Sequence, residues 1–291
     1  MADVLERIRA LPIWSGPLEI TPLGGGLSNT NFVVEDSGRR VVVRLGVDLP
    51  FHHVFREREL ATARAAHLAG LSPRIIHAEP GVTVTAYLGA RPFTAEDVRA
   101  EWRRVLPLIR TAHSDMAEHL VGPPPFFWVF HVIRDYAATL RSGGHRLAPH
   151  LGRWLAEART YEASQVPMPI VFGHHDLLPA NILDDGSRLW LVDWEYGGFG
   201  TPLFDLANLA GNAGLPFDAE QELLAGYFGR PTDATLLRAY RAMKAASLLR
   251  ETLWGLVSDL HMSVAGVDYD AYAAENLDRY ETARVAFEEA L

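Results

Sequence analysis

The stretch FGHHDLLPANILDDGSRLWLVDWE, residues 172–195, decides how this chain is read. It sets His174, Asp176, Asn181, Asp193 and Glu195, polar groups suited to catalysis or metal binding, between apolar strand residues. Asp176 and Asn181 lie on a loop that Pro179 keeps out of helix. Short strands are expected at 182–183 and 189–192, around a turn at 184–187. Asp193 follows Leu189, Leu191 and Val192, which read as buried. A charge at the end of an apolar strand is costly unless it is paired or metal-bound. Two carboxylates and an amide oxygen are hard ligands of the kind Mg²⁺ shares with substrate phosphates. A metal hydrolase using His174, His175, Asp176 and Asp193 is a competing reading, since neutral imidazoles ligate transition metals. It leaves Asn181 and the N-terminal part of the chain without a role.

Upstream, periodicity gives a short helix at 3–11 and strands at 18–23, 30–35 and 40–45. GGGLSN joins the first two strands, and Asp36-Ser37-Gly38 is a hairpin signal between the second and third. A helix follows at 54–69, with Val54, Leu60, Ala61, Ala65 and Leu68 expected toward a core. Strands at 74–78 and 82–87 complete a small sheet-rich part. After Gly89 the pattern turns helical, at 94–118, 131–141, 150–163 and over most of 218–291. PPPFF at 123–127 reads as a rigid loop. The division expected is 1–88 and 89–291, an α+β chain of two unequal lobes.

Taken together, these segments resemble the kinase superfamily, and within it the aminoglycoside phosphotransferase and choline/ethanolamine kinase branch. The loop H-x-D-x-x-x-x-N is His174, Asp176 and Asn181, and the following D-x-E is Asp193 and Glu195. The resemblance implies a two-lobed protein-kinase-like fold, with a small antiparallel sheet and one main helix in the first lobe and a mostly helical second lobe. ATP and Mg²⁺ are the implied cofactors. Asp176 would accept or orient the proton of a substrate hydroxyl, with His174 beside it as a second catalytic residue. Asn181 and Asp193 would hold the metal. Asp205, in PLFDLANL, would brace the catalytic loop from a structural position.

The same resemblance covers GGGLSNTNF at 24–32, where a glycine run lets backbone N–H groups approach phosphates. Ser28, Asn29 and Thr30 would lie over them. The bland alternative is an ordinary hairpin turn. Protein kinases carry a lysine on the next strand, and here Arg44 in VVVRLG stands in that place, as in choline kinases. Arginine is permanently charged and makes forked contacts to phosphate. Its helix partner would be Glu59, with Glu57 as the alternative. Ala86 and Tyr87 would lie near the adenine edge. SLLRETLWGLVSDL at 247–260 and YDAYAAENLDRY at 269–280 are similar to the C-terminal helices of choline and ethanolamine kinases. Trp254, Tyr269 and Tyr272 would there enclose a substrate ammonium by cation–π attraction, with Glu195 adding negative field. Alternatively, Trp254 is a core residue of an amphipathic helix. Val257 stands where the family has a second tryptophan.

Composition limits the rest. The chain has 291 residues, no cysteine and a formal charge of −9. Cysteine chemistry is excluded, and the acidic balance argues against nucleic acid as a partner. Lys244 is the single lysine and lies far along the chain from the glycine loop, so the kinase reading depends on Arg44. No segment has the purity of a membrane span, and MADVLERIRALPIW lacks the apolar run of a signal peptide. The expectation is a cytoplasmic enzyme acting on a small, cationic hydroxyl compound such as choline or ethanolamine; a homodimer is compatible with it. Thiamine, an aminoglycoside or a sugar is the alternative acceptor, and a catalytically silent nucleotide-binding module the alternative class.

Overall fold

Alternation of buried and exposed residues places the first functional side chain. In the computed structural model, which describes residues 2–24, 29–264 and 266–289, the N-terminal part is a five-stranded antiparallel sheet. Its strands are β1 (Leu18–Leu23), β2 (Thr30–Asp36), β3 (Arg39–Leu45), β4 (Ile75–Glu79) and β5 (Val82–Ala86), in the order β1-β2-β3-β5-β4. Ser37 and Gly38 join β2 to β3, both with positive φ (50° and 80°), as a two-residue hairpin turn of matching twist requires. Val41, Val43 and Leu45 of β3 point to one face. There they meet Phe32 and Val34 of β2, Val82 and Val84 of β5, and Ile8 of helix α1 (Ala2–Arg9). Each buried valine there contributes about 1.5–3 kcal/mol. Because side chains alternate, Arg44 must lie on the opposite face, away from this small core.

Helix α2 (Arg56–Leu68) packs differently from the sequence expectation. Its buried residues are Glu59, Thr62, Ala65 and Ala66, whereas Leu68 is 63% exposed. Ala65 and Ala66 belong to the large C-terminal core rather than to the core under the sheet. The small stripe lets α2 approach α3 (Ala95–His119), and Leu68 falls off that stripe. The expected boundary at 88/89 falls in the link between β5 and the two-residue strand β6 (Arg91–Pro92).

The C-terminal part is helical: α3, α4 (Val129–Ser142), α5 (Leu151–Ala163), α6 (Pro202–Ala213), α7 (Phe217–Phe228), α8 (Ala234–His261) and α9 (Tyr269–Glu288). All twelve residues of α6 are buried, as befits a helix apolar almost all round. Thr201 caps it, Pro202 fits its first turn and Gly214, at φ 64°, ends it. Short strands β7 (Val171–Gly173), β8 (Ile182–Asp184), β9 (Leu189–Leu191) and β10 (Gly198–Gly200) frame the stretch singled out above. β8 pairs with β9 and β7 with β10, both antiparallel. β6, β7 and β10 are too short, at two or three residues each, to be read from periodicity. Among the described residues, no helix is long and apolar enough to cross a membrane.

Candidate active site

The loop between β7 and β8 is held from below by α6. Asp205 Oδ2 accepts the His174 N–H and Oδ1 the His175 N–H, both at 2.8 Å, and His113 Nε2 lies 3.0 Å from Oδ2. Burial alone would raise the Asp205 pKa. The His113 hydrogen bond and the surrounding imidazoles of His175, His113 and His174 overrule it and hold the carboxyl well below its usual range. One turn on, Asn208 Oδ1 accepts the Leu177 N–H at 2.6 Å, and Asn212 Nδ2 donates to the Leu177 carbonyl at 3.4 Å. Asp205, Asn208 and Asn212 thus form one gripping face. Only Asp205 was singled out from sequence, although two amides at helical spacing on a wholly apolar helix carry the same signal.

His174 is a correction. Its Nε2 donates to the Val192 carbonyl at 2.9 Å, and its Nδ1 accepts the Asp176 N–H at 3.2 Å. Those partners assign the neutral Nε2–H tautomer, and burial lowers its pKa. With both ring nitrogens on backbone and no exposed surface, His174 positions the loop instead of touching a substrate. His175 takes a left-handed φ of 62° and turns its ring inward. A Cβ at Gly173 or Gly200 would stand 2.7 or 2.9 Å from its Nε2, so both glycines make room for that ring.

Asp176 is thereby fixed on the loop with 8% of its surface exposed. Asn181 Nδ2 donates to its carbonyl at 2.8 Å and to its Oδ2 at 3.2 Å. Arg250 Nη1, from α8, lies 3.6 Å from Oδ1 and donates to Glu251 at 2.5 Å. Burial first, then the nearby Glu251, push the Asp176 pKa well up, against the pull of Arg250. Arg250 and Glu251 were quoted within a sequence motif but given no role. Both are buried in the fold, whereas helix charges are usually solvated, so only the packing reveals them.

Asp193, also at a left-handed φ (68°), ends the segment after β9. Its Oδ1 accepts from Arg44 Nη2 at 2.7 Å. Arg44 further contacts Glu59 and Glu195, each at 3.2 Å. Burial disfavours the Arg44 charge, and Asp193, Glu59 and Glu195 more than restore it. Glu59 is therefore the helix partner, while Glu57 is exposed. Glu195 lies among Arg44, Arg56 (2.9 Å) and Asn29 (3.3 Å), on the side of the sheet, and its charge also acts on Asp176. A carboxylate two residues past Asp193 on an extended turn follows Asp193 toward Arg44.

Asn29 thus reaches the site, Thr30 stands exposed at the start of β2, and Ser28 lies outside the described residues. Ala86 gives its N–H to the Arg74 carbonyl and Tyr87 gives its own to Arg40, whose guanidinium covers the Tyr87 ring at 4.1 Å. Trp254, Tyr269 and Tyr272 do meet, edge to face, at 6.0 and 5.5 Å from the indole. They are packed against one another rather than apart. His52 stacks on Trp254 at 4.9 Å, and the indole N–H donates to the Tyr196 hydroxyl at 2.9 Å. Tyr272 donates to Glu251 at 3.0 Å. Val257 is buried in the core.

The donor set fits a hard divalent ion. Asn181 spends its NH₂ on Asp176, which leaves its amide oxygen, and Asp193 keeps 29% of its side chain exposed. Among the described residues no group of three or more His, Cys, Asp or Glu could hold a metal. Mg²⁺ takes one or two protein ligands and completes its shell with phosphates and water.

A family model described as "Phosphotransferase enzyme family" matches residues 19–245. The LicA protein of Haemophilus influenzae is 27% identical over 269 residues, covering 87% of this chain and 76% of that one. A probable ethanolamine kinase A from Dictyostelium discoideum is 23% identical, over 93% and 86% of the two chains. The crystal structure of a choline/ethanolamine kinase family protein from Mesorhizobium loti superposes with a TM-score of 0.76 at 30% identity, over 99% of this chain and 97% of that one. Choline kinase LicA from Streptococcus pneumoniae shares the fold, with a TM-score of 0.79 at 18% identity over 98% and 99%. With its loop, brace and arginine in these places, the chain belongs to the phosphotransferase enzyme family, in its choline/ethanolamine kinase branch.

Proposed function

We propose that this enzyme is an ATP- and Mg²⁺-dependent kinase that moves the γ-phosphoryl group to the hydroxyl of an amino alcohol, ethanolamine or choline. The observation that carries the reading is the Arg44–Asp193 contact at 2.7 Å, which brings the sheet's cation to the segment following the Asp176 loop. ATP would lie between residues 1–88 and 89–291, with its adenine edge near Ala86 and Tyr87. Arg44, oriented by Glu59, binds phosphate oxygens, and Asn29 and Thr30 lie beside them. Asn181 and Asp193 hold Mg²⁺, which neutralises phosphate charge when bound. Asp176 accepts the hydrogen bond of the acceptor hydroxyl. As the acceptor oxygen bonds to the γ-phosphorus, the bond to the β–γ bridging oxygen breaks, ADP leaves, and the hydroxyl proton passes to Asp176. Its raised pKa makes it a better proton acceptor than an ordinary carboxylate. Most of the rate would come from positioning and electrostatics.

Two buried acids, Asp176 and Glu251, face one buried arginine, Arg250, and the surplus carboxyl favours a cationic acceptor. The compact Trp254–Tyr269–Tyr272 group, with one indole face under His52, suits the narrow ammonium of ethanolamine better than a trimethylammonium. The test is an ATP-consumption screen with Mg²⁺ across ethanolamine, choline, thiamine, aminoglycosides and sugars, with mass detection of the product. Phosphoethanolamine or phosphocholine is the expected product. Phosphorylation of a sugar or aminoglycoside alone would overturn the acceptor assignment, and transfer to nothing would overturn the enzyme.

A further inference from the structure

We propose that Arg56 is a positioning residue for Arg44, one that keeps it available to nucleotide phosphates; the inference rests on Arg44 being the phosphate-binding arginine. Arg56 opens α2, where Phe55 offers no side-chain cap. Its backbone N–H instead donates to Asp48 at 2.8 Å, and its Nε to the Val47 carbonyl at 2.8 Å. A Cβ at Gly46 would stand 2.3 Å from Asn29 Oδ1 and 3.0 Å from that Nε, so glycine there leaves room for both side chains. So placed, Nη1 reaches Glu59 at 2.6 Å and Glu195 at 2.9 Å.

Those are the same two carboxylates that Arg44 contacts, each at 3.2 Å, through the other oxygen of Glu59 and the same Oε2 of Glu195. The four side chains therefore alternate in a closed ring, Arg44–Glu59–Arg56–Glu195, with Asp193 attached to Arg44. The ring spans β3, α2 and the segment after β9, and all four side chains are mostly buried. Counted as charges, three carboxylates meet two guanidinium groups, leaving one negative charge. Without Arg56 three carboxylates would share Arg44 alone, leaving two negative charges where a polyphosphate must enter. Arg44 would then be held harder by its own neighbours, and the incoming anion would be repelled. In a partly buried site such charge changes are weakly screened. A buried guanidinium nitrogen of Arg56, Nη2, has no hydrogen-bond partner among the described residues, and a cavity of about 860 Å³ lies alongside, lined also by Arg44 and Glu59.

The test is calorimetric binding of ATP, with Mg²⁺ and with EDTA, to wild type and to Arg56→Ala, Arg56→Lys and Arg56→Ala/Glu195→Gln, with thermal melts of each. The expected result is an ATP Kd about tenfold or more weaker in Arg56→Ala in both buffers, as expected from unbalancing a partly buried ion network. Arg56→Lys should recover most of that loss. The double variant should recover affinity as well, because removing one carboxylate rebalances the ring. Steady-state kinetics should show a raised KM for ATP with kcat little changed. If Arg56→Ala does not fold, Arg56→Gln is measured in its place. Wild-type affinity in Arg56→Ala, or no recovery in the double variant, overturns the role of Arg56 while leaving the kinase intact. Failure of wild type itself to bind ATP overturns the kinase reading and this inference with it.

Discussion

Arg44 Nη2 donates to Asp193 Oδ1 at 2.7 Å, across 149 residues of chain. The contact joins the third strand of the sheet to the turn after β9, and it places a permanent cation beside a candidate metal ligand. Substituting Arg44 with alanine leaves Asp193, Glu59 and Glu195 facing one another with only Arg56 between them. Breaking a buried ion network by removing one partner costs about 3 kcal/mol or more. Urea unfolding of Arg44→Ala should show that loss, and its KM for ATP should rise. An unchanged KM would remove Arg44 from the phosphate site.

Asp205 gives a sharper structural test. As an acceptor with two oxygens it takes the N–H groups of His174 and His175 separately. Asparagine offers one oxygen and one donor, so Asp205→Asn leaves a buried N–H without a partner. The expected cost is about 1–3 kcal/mol, with a fall in kcat as Asp176 loses its fixed position. Stability and kcat both at wild-type level would show that the loop holds itself.

Stability should fall in mild acid. Burial lowers the His175 pKa to about 4, against an ordinary value of 6.5. Above pH 6.5 the imidazole is neutral in folded and unfolded chains alike and contributes no pH dependence. As pH drops from about 6.5 toward 4, the unfolded chain gains a proton that the folded one refuses, so stability is lost across that window. The loss from this one group is about 3 kcal/mol. His52, also held neutral by burial, acts in the same direction. Urea midpoints at pH 7.5, 6 and 5 measure it, and a flat profile would contradict the burial of these rings.

Arg250 balances two buried acids, Asp176 and Glu251. Arg250→Met leaves Asp176 and Glu251 as uncompensated buried carboxylates, with an expected loss of about 3–5 kcal/mol. Adding Glu251→Gln should return much of the stability by removing the surplus charge. Thermal melts of the single and double variants give the answer. Equal melting temperatures for the two would mean that Arg250 acts by packing on Tyr196, whose ring it covers at 4.3 Å.

Much of this was legible in the sequence where the signal is local. The hairpin at Ser37-Gly38, the alternation that turns Arg44 away from the small core, and the spacing of His174, Asp176 and Asn181 all follow from short-range rules. The roles that could not be read depend on what a side chain meets across the fold. His174 looked catalytic because its type and spacing are shared by acid–base residues, but its two nitrogens are used by Val192 and Asp176 backbone. Glu195 was assigned to the acceptor because charge sums carry no direction; its neighbours turned out to be Arg44 and Arg56. Arg56 and Arg250 passed unremarked because an arginine on a helix is usually solvated, and only packing shows otherwise. That Tyr269 and Tyr272 each pack edge to face on Trp254 is likewise a matter of packing and not of spacing.

Asp176 is where the account is most exposed. Wild type and Asp176→Asn should be compared with ATP, Mg²⁺ and ethanolamine or choline, following the phosphorylated product by mass and ATP binding by calorimetry. The account predicts kcat lower by about 10²–10⁴-fold in Asp176→Asn, the usual range for a lost general base, with ATP affinity retained. Product formation by Asp176→Asn at the wild-type rate would contradict it.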